Sequence, residues 1–251
     1  MSTFTIQPIH QTPALFIKEK KMLILGDLHI GIENELQDQG LHVPSQLPQM
    51  WYMINKLCTD HQPKDIVLLG DIKHSIPQTP FHEKKQLKRF FADLNKLGNI
   101  HVVPGNHDGN IKWYLPDEVI LHESDGTVLD SIGLIHGHRW PKQSVLQASY
   151  LLMAHTHPTV MLQDRLKYET YESCWVKTRF DLEKTKERYS SFNPTIEIII
   201  LPAFNPLCGG MAVNREGIIG PMNNIIDHDQ SEFFLLDGSY LGTIQHMQPE
   251  E

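Results

Sequence analysis

The chain has 251 residues, 40% of them hydrophobic and 21% charged, with 22 basic against 30 acidic side chains and a formal charge of −8 with histidine neutral. This is the composition of an ordinary globular protein, and a chain of this length can bury roughly 70 to 75% of its unfolded surface without staples. The acidic balance argues against a broad, sequence-independent nucleic-acid footprint, which needs a basic field to displace phosphate counterions.

The most apolar stretch, 196–204, is nine residues long and contains Glu197, whereas a membrane-spanning helix needs about 20 apolar residues. Gln7, His10 and Gln11 stand where a secretory apolar core would be, and Lys18-Glu19-Lys20-Lys21 splits the apolar segments around Leu15 and Leu23. A cytoplasmic protein with no membrane partner is expected. Cys58, Cys174 and Cys208 are scattered and odd in number, which predicts reduced thiols.

In chain order, short β-branched and aliphatic runs read as buried strands at 22–25, 66–69, 100–103, 132–135, 151–153 and 196–201. Between the first two, 45–61 places Leu47, Met50, Trp51, Ile54 and Leu57 at helical spacing behind Ser45 as N-cap. Between the next two, 82–97 repeats the pattern with Leu87, Phe90, Phe91, Leu94 and Leu97 and stops at Gly98. Such an alternation means parallel strands joined by crossovers. After Asp117 short strands and turns take over, which predicts two sheets packed face to face with helices outside. No repeat, low-complexity tract or Gly/Ser linker divides the chain, so one domain over residues 1–251 is expected.

The apolar runs end abruptly in Asp, Asn or His: Gly26-Asp27-Leu28-His29, Gly70-Asp71-Ile72-Lys73-His74, Gly105-Asn106-His107-Asp108, His136-Gly137-His138 and His155-Thr156-His157. The carboxyl ends of strands in an open α/β sheet form the crevice where ligands bind, and five such ends would face it together. Asp27 and Asp71 offer anionic oxygens, Asn106 a neutral oxygen, and His29, His136, His155 and His157 imidazole nitrogens. Oxygen and imidazole donors without thiolate suit Mn, Fe or Zn. Seven donors are too many for one tetrahedral ion; they suit two ions about 3.5 to 4 Å apart that share a carboxylate and clamp both oxygens of a displacement at phosphorus.

The ordered series Asp27-x-His29, Gly70-Asp71, Gly105-Asn106-His107-Asp108, His136 and His155-x-His157 resembles the signature of the calcineurin-like metallophosphoesterases across residues 27–157. The resemblance implies an α/β four-layer sandwich of two mixed β-sheets flanked by helices, with the metal site at the strand C-terminal ends. It implies that Asp27, His29 and His157 hold one divalent ion, that Asn106, His136 and His155 hold a second, and that Asp71 bridges them. Manganese is the first expectation, with Zn, Fe, Ni or Mg as alternatives. His107 would meet the phosphate and protonate the leaving alkoxide, and Asp108 would orient that imidazole. Two positions depart from the pattern: Ala154 stands where Gly usually opens the last motif, and His74 where the second motif usually supplies Asp or Asn. His74 and His138 are expected as contacts to the substrate or to the ligands. Leu201-Pro202-Ala203-Phe204-Asn205-Pro206 and Gly209-Gly210-Met211-Ala212-Val213-Asn214, with His136-Gly137-His138, resemble a narrower archaeal branch related to the nuclease subunit of the double-strand-break repair complex.

Other signals have blander expectations. His10, His42, His61, His82, His101, His122, His228 and His246 are assigned to core or surface, and Lys84, Lys85, Lys88 and Arg89 to the solvated face of their helix. The stretch 167–188 interleaves basic and aromatic residues, which can stack on and neutralise a nucleic-acid strand, but Asp181, Glu183 and Glu187 dilute it. A surface loop or hairpin over the crevice is expected there. The prolines of 202–206 are expected to end the sheet rather than line the crevice. The function expected is a phosphodiesterase, acting on a phosphate ester through a water activated between two metals. The alternatives are a DNA nuclease, which net charge disfavours, a nucleotide or small-molecule phosphomonoesterase, and last a non-enzymatic scaffold.

Overall fold

Apolar residues at consecutive positions require strands buried on both faces, and the computed structural model, which describes residues 5–247, satisfies that with two stacked sheets. Among the described residues the first sheet has the order β1 (Gln7–Pro8), β2 (Leu15–Ile17), β3 (Met22–Leu25), β4 (Asp65–Leu68), β5 (Asn99–Val102), β6 (Ile120–Leu121). From β3 to β6 the strands are parallel, as the crossover pattern predicts, while β1 and β2 add antiparallel pairs. The crossovers contain α1 (Ile32–Asp38), α2 (Leu47–His61) and α3 (Phe81–Leu94). Met50, Ile54, Leu87, Phe90 and Phe91 seal α2 and α3 onto Leu23, Leu25, Leu68 and Val102.

The second sheet is built from β7 (Thr127–Leu129), β8 (Ile132–Ile135), β9 (Tyr150–Met153), β10 (Pro158–Gln163), β11 (Glu169–Thr178), β12 (Glu197–Ile200), β13 (Met211–Ala212), β14 (Glu232–Leu235) and β15 (Tyr240–Thr243). Its main path runs β13-β10-β11-β12-β9-β8-β7, with β14 pairing β11 and β15. The faces alternate by residue parity: Met22, Ile24 and Val67 point away from the helices and meet Ile132, Leu134, Leu152, Trp175 and Ile199 between the sheets. The outer layer on the second sheet is thinner than the first, made of α4 (Leu182–Arg188), α5 (Val213–Glu216) and loops. No helix among the described residues is long and apolar enough to cross a membrane.

Boundaries differ from the sequence expectation by a residue or so because ladder bonding, not hydrophobicity, sets them. The N-cap of α2 is Gln46, whose side chain makes no capping bond, Ser45 lying one residue too early. α3 stops at Leu94, and Leu97 N turns back onto Leu94 O at 2.9 Å before Gly98 is reached. The stretch 167–188 differs from the expectation in its burial. It forms the second strand of the expected hairpin, β10–β11, followed by α4, and it is not surface throughout, since Cys174, Trp175 and Val176 are buried. Three of its cations are engaged within the chain: Lys177 with Glu197 at 2.9 Å, Lys186 with Glu183 at 2.7 Å, and Arg188 over the Trp140 ring at 3.7 Å.

Candidate metal centre

Parallel strands deliver their carboxyl ends to one side, so the residues just past β3, β4, β5, β8 and β9 meet there. Five of them are non-glycine residues in left-handed backbone: Asp27 (φ 56°), His29 (40°), Asp71 (48°), His155 (71°) and His157 (45°). Each such residue costs about 1 to 2 kcal/mol, and bonds between the loops hold them: Asp27 N donates to Gly70 O at 3.1 Å, His29 N to Asp71 O at 2.8 Å, and His155 N to Asp27 Oδ2 at 3.1 Å. Gly70 (φ 75°) has no alternative, since a Cβ there would lie 2.5 Å from His136 Nδ1.

Four donor groups result among the described residues, and two of them share an aspartate. Asp27, His29 and Asp71 place ligand atoms within 4.8 Å of one another, as do Asp71, His136 and His155, so Asp71 belongs to both. Asp71 Oδ2 lies 3.5 Å from His29 Nε2 and 3.3 Å from His136 Nε2, and Asp27 Oδ1 lies 3.3 Å from His157 Nε2. Backbone carbonyls can only accept, so they fix the proton on Nδ1 of His136 (to Leu69 O, 2.8 Å) and of His157 (to Gly209 O, 3.0 Å). That leaves each Nε2 as the ligating atom. Asp27 Oδ1, His29 Nε2 and His157 Nε2 are buried without a hydrogen-bond partner. Buried polar atoms are normally satisfied, and three orphans facing one place fit a cation.

The electrostatics agree. Burial favours the neutral carboxyl of Asp27, but the charges of His157, His136 and His29 hold it below the usual carboxylate range. Asp71 is held low in the same way, against its burial, by its bond to His136 and the charges of His136 and His29. Burial opposes the charge of His136, yet Asp71 and Asp27 lift it to about 9. Burial pushes His29 down to about 3 and, with the His136 charge, His155 down to about 4. A cation among these groups would displace the His136 proton, so binding and proton release are coupled.

The remaining expected residues divide. His107 donates from Nδ1 to His74 O at 2.5 Å, which points its Nε2 elsewhere, and its N–H donates to Asp71 Oδ1 at 2.8 Å. Asn106 precedes it on the same loop and is exposed. Asp108 does not orient the His107 ring as expected: Oδ1 accepts from Ile72 N (2.9 Å) and Lys73 N (3.2 Å), and Oδ2 from Gly105 N (2.9 Å). Its carboxylate clamps the loop after β4 to the loop after β5, and no bond to His107 is left among the described residues. His74 lies beside both, with Nδ1 3.1 Å from His29 Nδ1, its ring stacked on His107 and Nε2 2.6 Å from Glu35 Oε2. The His138 ring centroid is 5.3 Å from that of His136, and burial with the charges of His136 and His155 pushes it down to about 4.

The sequence missed the strap after β12. Phe204 N donates to Gly26 O at 3.0 Å, Asn205 N to Asp27 O at 3.2 Å and Asn205 Nδ2 to Leu28 O at 2.8 Å. The prolines of 202–206 do end the strand, but the segment then docks on the loop that carries Asp27 and His29. Lys73 was also unremarked. It is fully buried, with Nζ donating to Ser75 O at 2.7 Å.

Two mixed sheets whose strand ends gather carboxylates and imidazoles around a shared aspartate describe a candidate metal centre. The family model described as calcineurin-like phosphoesterase matches residues 20–182, and the chain belongs to that family. It is therefore a hydrolase of phosphate esters. Among solved structures, Pseudomonas putida nuclease MPE is similar in fold over 95% of this chain and 98% of its own, at 16% identity and a TM-score of 0.58. Yfce, a phosphoesterase from E. coli, matches over 88% of this chain and 96% of its own, at 16% identity and a TM-score of 0.38. No curated protein matches the chain significantly in sequence.

Proposed function

We propose that the chain is a phosphodiesterase with two divalent ions, one held by Asp27, His29 and His157, the other by Asn106, His136 and His155, with Asp71 between them. The observation that carries this is the set of buried, unpartnered ligand atoms on Asp27, His29 and His157 beside a carboxylate common to two donor groups. Two such ions would supply charge neutralisation at the phosphoryl oxygens and an acidified water. The chain's own residues do the rest. The His74 carbonyl keeps one proton on His107 Nδ1, so Nε2 is the atom that carries a proton to the leaving oxygen. Asp108 holds the loop that presents His107, and His74 and His138 border the place where substrate sits. Manganese is the ion we favour. One domain over 1–251 is supported by the core between the sheets, to which Leu15 and Ile199 both contribute.

A diester is favoured over a monoester because a proton donor matters most when the leaving group is a poor alkoxide. A nucleic-acid diester is the second reading, favoured by the archaeal-branch resemblance of 201–206 and 209–214 and by a structural neighbour that is a nuclease. The test is metal analysis of the purified protein, then turnover of bis(nitrophenyl) phosphate and nitrophenyl phosphate after reconstitution with Mn, Zn or Mg. Faster diester turnover is expected. A monoester preference would overturn the diester assignment, and cleavage of single-stranded DNA with affinity falling steeply with salt would favour the nuclease.

A further inference from the structure

The strap after β12 ends in a sulfur beside the first donor group. One ring nitrogen of His29, one of His157 and Cys208 Sγ lie within 4.8 Å of one another. Main-chain bonds set this position. Residues 204–205 are laid on the loop of Asp27 and His29 by the bonds described above, and Cys208 N then donates to Asn205 O at 3.0 Å. The next residue, Gly209, supplies the carbonyl that fixes His157. One short segment thus aims an imidazole and holds a thiol at the same place.

The surroundings of Cys208 differ from those of the other two thiols. Cys58 and Cys174 are packed in hydrophobic clusters, whereas Cys208 is half-buried and belongs to none. Its hydrogen-bond contact among the described residues is a long one, Sγ to Asp27 O at 3.8 Å. The residues around it hold unsatisfied atoms: His29 is 4% exposed and Asp27 0%, and His29 Nε2, His157 Nε2 and Asp27 Oδ1 have no hydrogen-bond partner.

We infer that Cys208 is a fourth protein donor to the ion held by Asp27, His29 and His157, an inference that rests on the metal-centre reading above. On coordination the thiol proton passes to solvent and the sulfur lone pair goes to the ion. A thiolate at this position shifts its preference from manganese toward zinc, iron or cobalt. The position of Asn106, His136 and His155 keeps only oxygen and nitrogen donors. The two positions then differ in which ions compete with manganese.

Cobalt(II) tests this without an activity assay. The full chain is loaded with cobalt(II) in excess under anaerobic conditions and its absorption recorded: visible d–d bands report bound cobalt, and a near-ultraviolet charge-transfer band reports a sulfur ligand. The native chain is expected to show both. Cys208→Ser and Cys208→Ala keep the visible bands and lose the near-ultraviolet one, while Cys58→Ser and Cys174→Ser keep both. Visible bands without the charge-transfer band in the native chain, or a charge-transfer band that survives in Cys208→Ser, would overturn the sulfur ligand and leave the metal centre standing. Absence of both bands in the native chain would overturn the two together.

Discussion

Replacing Asp108 by alanine separates a structural clamp from a residue that tunes His107. The side chain is 3% exposed and accepts from three backbone donors, Ile72 N, Lys73 N and Gly105 N. Alanine leaves all three without partners, at about 1 to 3 kcal/mol each. Part of that is offset, because burial and the neighbouring Asp71 charge disfavour the Asp108 carboxylate and raise its pKa. The net loss is about 3 kcal/mol; with a urea m-value of about 3 kcal/mol/M it lowers the unfolding midpoint by about 1 M. Asp108→Asn keeps one accepting oxygen, can still serve Ile72 and Lys73, and loses about 1 to 2 kcal/mol. The assay is urea unfolding followed by circular dichroism, with chelator present in every sample so that metal binding does not contribute. If Asp108→Ala unfolds at the wild-type urea concentration yet loses turnover, the carboxylate serves the imidazole and the clamp is refuted.

Asp71→Ala should lose both ions together, read as metal content after gel filtration; two equivalents retained with full activity contradicts the shared-ligand role. His107→Ala should keep its metals and lose about 10²- to 10⁴-fold in turnover of a diester with a poor leaving group, but much less for nitrophenyl esters. Equal loss on both removes the proton-donor role. Asn205→Ala deletes the Leu28 O and Leu207 N contacts (2.8 and 3.0 Å) of a residue that is 1% exposed. Affinity for the ion of Asp27, His29 and His157 should fall about 10- to 100-fold in calorimetric titration with manganese, and an unchanged affinity would show that the strap does not position the ligands.

What could be read from the sequence was the part encoded locally. An apolar run broken by Gly-Asp at 70–71 or Gly-Asn-His-Asp at 105–108 announces both the strand and its polar end, and parallel topology then gathers such ends by geometry alone. The role of Asp108 was not legible, because the direction of a carboxylate depends on where two loops lie, and three backbone donors outcompete one imbidazole neighbour that already has the His74 carbonyl. Asn205 and Cys208 were hidden for another reason. Their partners in the Asp27–His29 loop are 176 to 181 residues away in the chain, and an Asn-Pro after a strand looks like an ordinary turn. The burial within 167–188 was not legible because composition does not reveal that Trp175 lies between two sheets or that Lys177 faces Glu197.

The central claim is that Asp71 stands between two cations. Anomalous diffraction from crystals grown with manganese measures this directly. The structure predicts two peaks about 3.5 to 4 Å apart, one between Asp27 and His29 and one beside His136 and His155, with Asp71 touching both. A single peak, or none within reach of Asp71, would contradict it.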